Sequence, residues 1–175
     1  MKSRILALAV IVLFATGGWE CFNEDIIIPV DVKLPATFNI NPSSATSFNQ
    51  GTTIRVGDYI DETVEDNVQG GRLVDVQVWI VGTYGGTVSG TASINGQPLL
   101  TFNGTGANFS TPQSLLGKST YITPVTAGVT ELNNLLKTVT PNTLVQVSAV
   151  GTLSTAVTTP ITVYVTIITQ VDSQP

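Results

Sequence analysis

The chain has 175 residues, of which 11% are charged, a formal net charge of −5, one cysteine and no histidine. That is material for one domain with an ordinary core, and it excludes Ser-His-Asp and Cys-His nucleophiles, histidine zinc sites and any internal disulfide. Beyond residue 20 the basic side chains are Lys33, Arg55, Arg72, Lys118 and Lys137, too few for the cationic stripe that neutralises phosphates, so no nucleic-acid partner is expected.

Lys2 and Arg4, the apolar run from Ile5 to Ala15, and the small residues Ala15, Thr16, Gly17 and Gly18 have the layout of a secretory signal over residues 1–20. The run is too short to cross a bilayer as a stable helix. Its removal takes away Lys2, Arg4 and Glu20, a net loss of one positive charge, so −5 becomes −6. Cys21 follows directly, with Glu24 and Asp25 behind it. This arrangement resembles the lipid-modified cysteine and the short acidic surface-export signal of bacterial exported lipoproteins. The resemblance ends at Asp25, and it departs from the pattern in placing Trp19 and Glu20, rather than a small residue, before the cysteine. It implies lipid at Cys21, membrane anchoring through that lipid, and a place at the bacterial cell surface, in the outer membrane or outside the cell. Cleavage near Gly17 or Gly18, leaving Cys21 an unmodified thiol, is the other reading of the same residues.

Residues 21–35 read as an N-terminal segment carrying the first strand, Asp25 to Leu34, with Ile28, Val30, Val32 and Leu34 on one face. Pro29 lacks an amide donor and so assigns this strand to a sheet edge. An apolar edge strand beside an exported terminus is a candidate for pairing with a second copy, giving a homo-oligomer or polymer by strand addition through Ile28, Val30, Val32 and Leu34. Pairing within its own subunit is the alternative. After a break at Pro35, residues 36–175 form the main domain. Phe38 and Ile40 continue the first strand, Asn41 to Gly51 is a turn-forming loop, and Thr52 to Val56 is a short strand.

The period then changes. Ile60, Val64 and Val68 recur every four residues and Gly70-Gly71 follows as a C-terminal cap, which predicts a short amphipathic helix. Its carboxylates, Asp58, Asp61, Glu62, Glu65 and Asp66, form either a solvated helix face or a calcium site, although their spacing matches no EF-hand. Arg72 to Tyr84 is a long strand with Val74, Val76, Val78 and Ile80 inside and Asp75, Gln77 and Trp79 on the other, partly exposed face. Trp79 and Tyr84 are candidates for an aromatic platform under a sugar ring, or else pack on the sheet.

Val88 to Ile94 and Leu99 to Phe102 read as strands joined by a tight Asn95-Gly96 turn. Gly117-Lys118-Ser119-Thr120 echoes a P-loop ending, but Pro112 stands where that loop needs glycine. Val129, Leu132, Leu135, Leu136 and Val139 have helical spacing between Thr130 and Pro141, predicting a helix that plugs one end of the domain. Thr143 to Gly151 and Pro160 to Val171 are the last strands. In the latter Ile161, Val163, Val165 and Ile167 face one way and Thr162, Tyr164 and Thr166 the other.

The expected fold is all-β, an antiparallel Greek-key or immunoglobulin-like β-sandwich with one or two short helices in crossovers. No catalytic constellation and no cofactor motif stands out, so the chain is expected not to be an enzyme. Two classes remain: an exported structural or adhesive surface module, which is a subunit of a surface assembly, and a surface or periplasmic module that binds a glycan or small ligand.

Overall fold

A computed structural model describes residues 28–60 and 68–173. The secretory signal, Cys21 and the carboxylates Asp61, Glu62, Glu65 and Asp66 lie outside the described residues. The elements in chain order are β1 (Ile28–Ile40), β2 (Ser47–Arg55), β3 (Val68–Val81), β4 (Thr87–Ile94), β5 (Gln97–Thr105), β6 (Gln113–Ser114), β7 (Ile122–Pro124), α1 (Thr126–Lys137), β8 (Leu144–Leu153) and β9 (Ile161–Ser173), with a 3-10 turn at Val56–Tyr59 after β2.

The strands form two antiparallel sheets, one ordered β1-β9-β3-β6 and the other β2-β8-β4-β5-β7. Setting aside the short β7, the first strand pairs with the last, the second with the next to last, and so inward to the β4–β5 hairpin. A long hairpin rolled up in this way is the jelly-roll form of the Greek-key sandwich. The hairpin at its centre turns at Asn95 and Gly96, both at positive φ as the sequence predicts.

The two inner faces meet in one apolar core. Val32, Leu34, Ala36, Phe38 and Ile40 of β1, Ile161, Val163, Val165 and Ile167 of β9, and Val76, Val78 and Ile80 of β3 are all buried. Val145, Val147 and Ala149 of β8, Val88, Ala92 and Ile94 of β4, and Leu100 and Phe102 of β5 oppose them. Phe109, from the loop after β5, is fully buried and meets the rings of Phe102 and Tyr121 edge-on.

The structure departs from the sequence reading in several places. β1 runs without a break through Pro35, so the proposed division between residues 35 and 36 falls inside one strand. The strand does lie at a sheet edge. Pro29 and Pro35 have the same parity, so both missing amides point away from β9 into the open edge, where no ladder bond is lost. β2 starts at Ser47 rather than Thr52, because the expected loop residues from Ser47 onward pair with β8 and bury Phe48. Where a helix ending at Gly70-Gly71 was expected, Asp58 lies in the 3-10 turn and both glycines lie inside β3. Gly71 permits close strand approach, since a Cβ there would come within 2.9 Å of the Gln170 carbonyl oxygen.

In β3 the register slips between Leu73 and Asp75, so Leu73 and not Val74 precedes Val76 in the inward series. Asp75 is buried rather than partly exposed. Its carboxylate accepts the Val76 N–H at 2.8 Å, the Leu116 N–H at 2.9 Å, the Ser114 hydroxyl at 2.6 Å and the Gln77 amide at 3.3 Å. Those bonds fasten β6 and the turn after it to β3.

Helix α1 begins four residues earlier than the spacing indicated, at Thr126. Val125 at its N-cap offers no side-chain bond; its own N–H is held by the Leu99 carbonyl at 2.9 Å, so β5 sets the start. Leu132 and Leu136 are buried, and the helix touches β4 and β5 of one sheet and β3 of the other, closing one end of the sandwich as expected.

β9 is more enclosed than a one-faced strand. Thr166, on its outer side between Pro35 and Gln77, is 5% exposed, and Thr169 on the inner side is fully buried. Neither hydroxyl has a hydrogen-bond partner among the described residues. An unpartnered buried hydroxyl costs about 1–3 kcal/mol, and valine keeps the shape without it. Thr169→Val is therefore expected to raise the urea midpoint with an unchanged slope; an unchanged or lower midpoint would mean that the hydroxyl is satisfied.

Candidate functional site on the outer face of the five-stranded sheet

Successive side chains of a strand alternate between faces, so the outer face of the five-stranded sheet is set by every second residue of β2, β8, β4 and β5. One cross-strand row on it is Ser47, Thr152, Ser89 and Asn103, and the next but one is Asn49, Val150, Thr91 and Thr101. Thr53, Ser93, Gln146 and Ser148 extend the face toward its other end, and Thr123 of β7 continues the second row. From Ser47 to Thr53 on β2 and across the rows above, no side chain is charged. The first charge met is Arg55 at the end of β2, hydrogen-bonded to Asp58 and Asn142.

Between the two rows lies a third, Phe48, Gly151, Gly90 and Phe102, whose side chains point inward. Its centre is a directly paired couple of glycines on the two middle strands. A Cβ on Gly151 would lie 2.4 Å from the Phe48 ring, and one on Gly90 would lie 2.6 Å from the Phe102 ring. The phenyl rings thus fill the volume that the glycines leave, a cross-strand aromatic rescue of glycine. Over this row, on the outer face, is an open groove of about 670 Å³, lined by the two hydroxyl and amide rows with the glycine backbone in its floor. The Ser89 and Thr152 hydroxyls bond to each other along one bank at 2.9 Å, and Val150, half exposed, supplies an outward-facing apolar side chain.

The residues singled out in the sequence lie elsewhere. Trp79 and Tyr84 form no common platform. Trp79 stacks on its register partner Tyr164 on the outer face of the four-stranded sheet, at 4.9 Å between ring centres and 5° between planes. Tyr84 is buried, and its hydroxyl is clamped by Thr155, donating to the carbonyl at 3.0 Å and accepting the N–H at 3.1 Å. Burial pushes that phenol's pKa up, and the Thr155 and Ser154 hydrogen bonds more than offset it, leaving a value below the ordinary one. Asp58 is exposed and pairs with Arg55 at 3.1 Å, and among the described residues no group of three or more His, Cys, Asp or Glu is placed to hold a metal ion. The apolar face proposed for assembly fills the chain's own core: Val32 and Leu34 are buried, Val30 packs against them, and Ile28 belongs to the strand that pairs with β9.

The chain is thus a β-sandwich module whose clearest surface feature is an uncharged groove. No protein-family model matches it, and no curated protein matches it. Among solved structures it is similar to one of Desmodium yellow mottle tymovirus, at 13% identity and a TM-score of 0.35, over 85% of this chain and 90% of that one. It is similar to a decameric BFDV capsid protein at 10% identity and a TM-score of 0.40, over 83% and 99%. A structure of turnip yellow mosaic virus gives 12% identity and a TM-score of 0.34, over 85% and 96%. Similarity at this level transfers no role to any residue, so the groove is read from its own geometry.

Proposed function

We propose that the chain is an exported, non-enzymatic structural or adhesive module of a cell surface, held there through lipid on Cys21 and acting by contact through the outer face of its five-stranded sheet. The observation that supports this reading is the absence of charge on that face across four adjacent strands as far as Thr53, Arg55 at the end of β2 being the first charge met. A face meant only for water normally mixes Lys, Arg, Asp and Glu over its surface, whereas the buried centre of a contact surface is depleted of them. The opposite face of the sandwich has the ordinary pattern, with Asp31, Lys33, Arg72 and Asp172 on its strands.

Lysines at Thr91 and Thr101 test it. Thr101 is exposed and Thr91 half-buried with its side chain on the outer face, so the double variant Thr91→Lys/Thr101→Lys should fold with a nearly unchanged melting temperature, surface changes usually staying within about 0.5 kcal/mol. Beads coated with wild-type protein should clump or attach to cells, and beads coated with the variant should do neither. Equal attachment by both, or none by the wild type, would refute the contact role of this face.

A further inference from the structure

The geometry points to a neutral saccharide chain as what this groove binds. The inference rests on the reading of the face as a contact surface and names the chemistry of its partner. Size is the first argument. The groove of about 670 Å³ is within the range of about 300–1,000 Å³ usual for small-molecule sites, and its rows cross four strands, about 14 Å at the ordinary strand spacing. A short oligosaccharide laid across the strands fits that span.

The second argument is the match of donors and acceptors. Serine and threonine hydroxyls, and asparagine amides, each both donate and accept hydrogen bonds. Ser47, Thr152, Ser89 and Asn103 on one bank, with Asn49, Thr91 and Thr101 on the other, therefore suit a ligand whose own groups do both, which is the character of a sugar hydroxyl. An anionic or cationic ligand would lose water there with no opposite charge to replace it. Between the banks the floor is backbone, because the residues of the intervening row face inward, and Val150 offers methyl groups, so the C–H face of a sugar ring meets apolar surface while its hydroxyls reach the banks.

The test is a titration of the ¹⁵N-labelled chain with neutral tetrasaccharides of glucose, mannose, galactose and N-acetylglucosamine, followed by amide shifts. At least one should give saturable shifts confined to Ser47–Asn49, Ser89–Thr91, Thr101–Asn103 and Val150–Thr152. Asn103→Leu and Thr91→Val should weaken that binding at least tenfold with unchanged melting temperatures, while an acidic tetrasaccharide should bind no better than buffer. No saturable shift with any neutral probe, or shifts centred on the Trp79 and Tyr164 face, would overturn the inference. If saccharides fail but sedimentation shows self-association that Thr91→Lys/Thr101→Lys abolishes, the saccharide is wrong and the contact surface stands. If neither is seen, both readings fall.

Discussion

Val165→Asp should yield no folded protein. Val165 is fully buried at the middle of β9, with Ala36 on one side and Val78 on the other as register partners, both of them buried. Losing the valine forfeits about 1.5–3 kcal/mol of apolar transfer, and an unpaired carboxylate in its place costs several kcal/mol more. Together these reach the about 5–15 kcal/mol that holds an ordinary domain together. The measurement is a urea titration followed by circular dichroism beside Thr162→Asp, whose site is half-buried on the outer side of the same strand. Thr162→Asp should retain a cooperative transition and Val165→Asp should show none. A near-normal transition for Val165→Asp would mean that β9 is not the centre of the core. The neighbouring Thr166 is no control, because it too is buried.

The second large effect is expected at Gly128, on the face of α1 that lies against β5. A Cβ there would stand 2.3 Å from the Pro98 carbonyl oxygen and 2.4 Å from the Leu99 Cα, and backbone on both sides leaves it nowhere to move. Alanine in place of helical glycine ordinarily gains about 1 kcal/mol. Here the overlap should win, since overpacking costs about 1–3 kcal/mol and more when the backbone must shift. Gly128→Ala should lower the melting temperature and Gly128→Val should lower it much further, by lifting α1 and exposing Leu132 and Leu136. Thr130→Ala, on an exposed position of the same helix, should be neutral or slightly stabilising. A gain in stability for Gly128→Ala would show that the helix does not sit against β5 so closely.

Much of the architecture was legible because strands with one apolar side write a period of two into the sequence. The inward series of β1 and β9 could be read residue by residue, as could the edge position of β1 from Pro29 and the helix from the spacing of Leu132 and Leu136. The errors arose where a local pattern is overruled by a distant partner. Val74 looked like the start of the inward series of β3, but the slip in register against β9 puts Leu73 there instead. Trp79 and Tyr84 are near in sequence, yet the ring that stacks on Trp79 is Tyr164, brought alongside by pairing of strands far apart in the chain. The groove was invisible for the same reason. Gly90 and Gly151 are unremarked glycines until the β4–β8 register sets them face to face, and Phe48 lay in a stretch whose turn-forming composition masked a strand. A signal was present: two glycines inside valine- and threonine-rich runs, each with a phenylalanine on a neighbouring strand.

The pairing of β1 with β9 has a consequence for the order in which the molecule can form. β9 is an inner strand of its sheet, and both long strands beside it, β1 and β3, come far earlier in the chain. As the chain is synthesised, β1 has no partner until β9 emerges and β3 has only the two-residue β6, and folds dominated by such distant pairings form slowly, in milliseconds to seconds. Closure of the roll is a late event, and a chain cut before Ile161 would leave the inward faces of β1 and β3 as two loose apolar ribbons, open to aggregation.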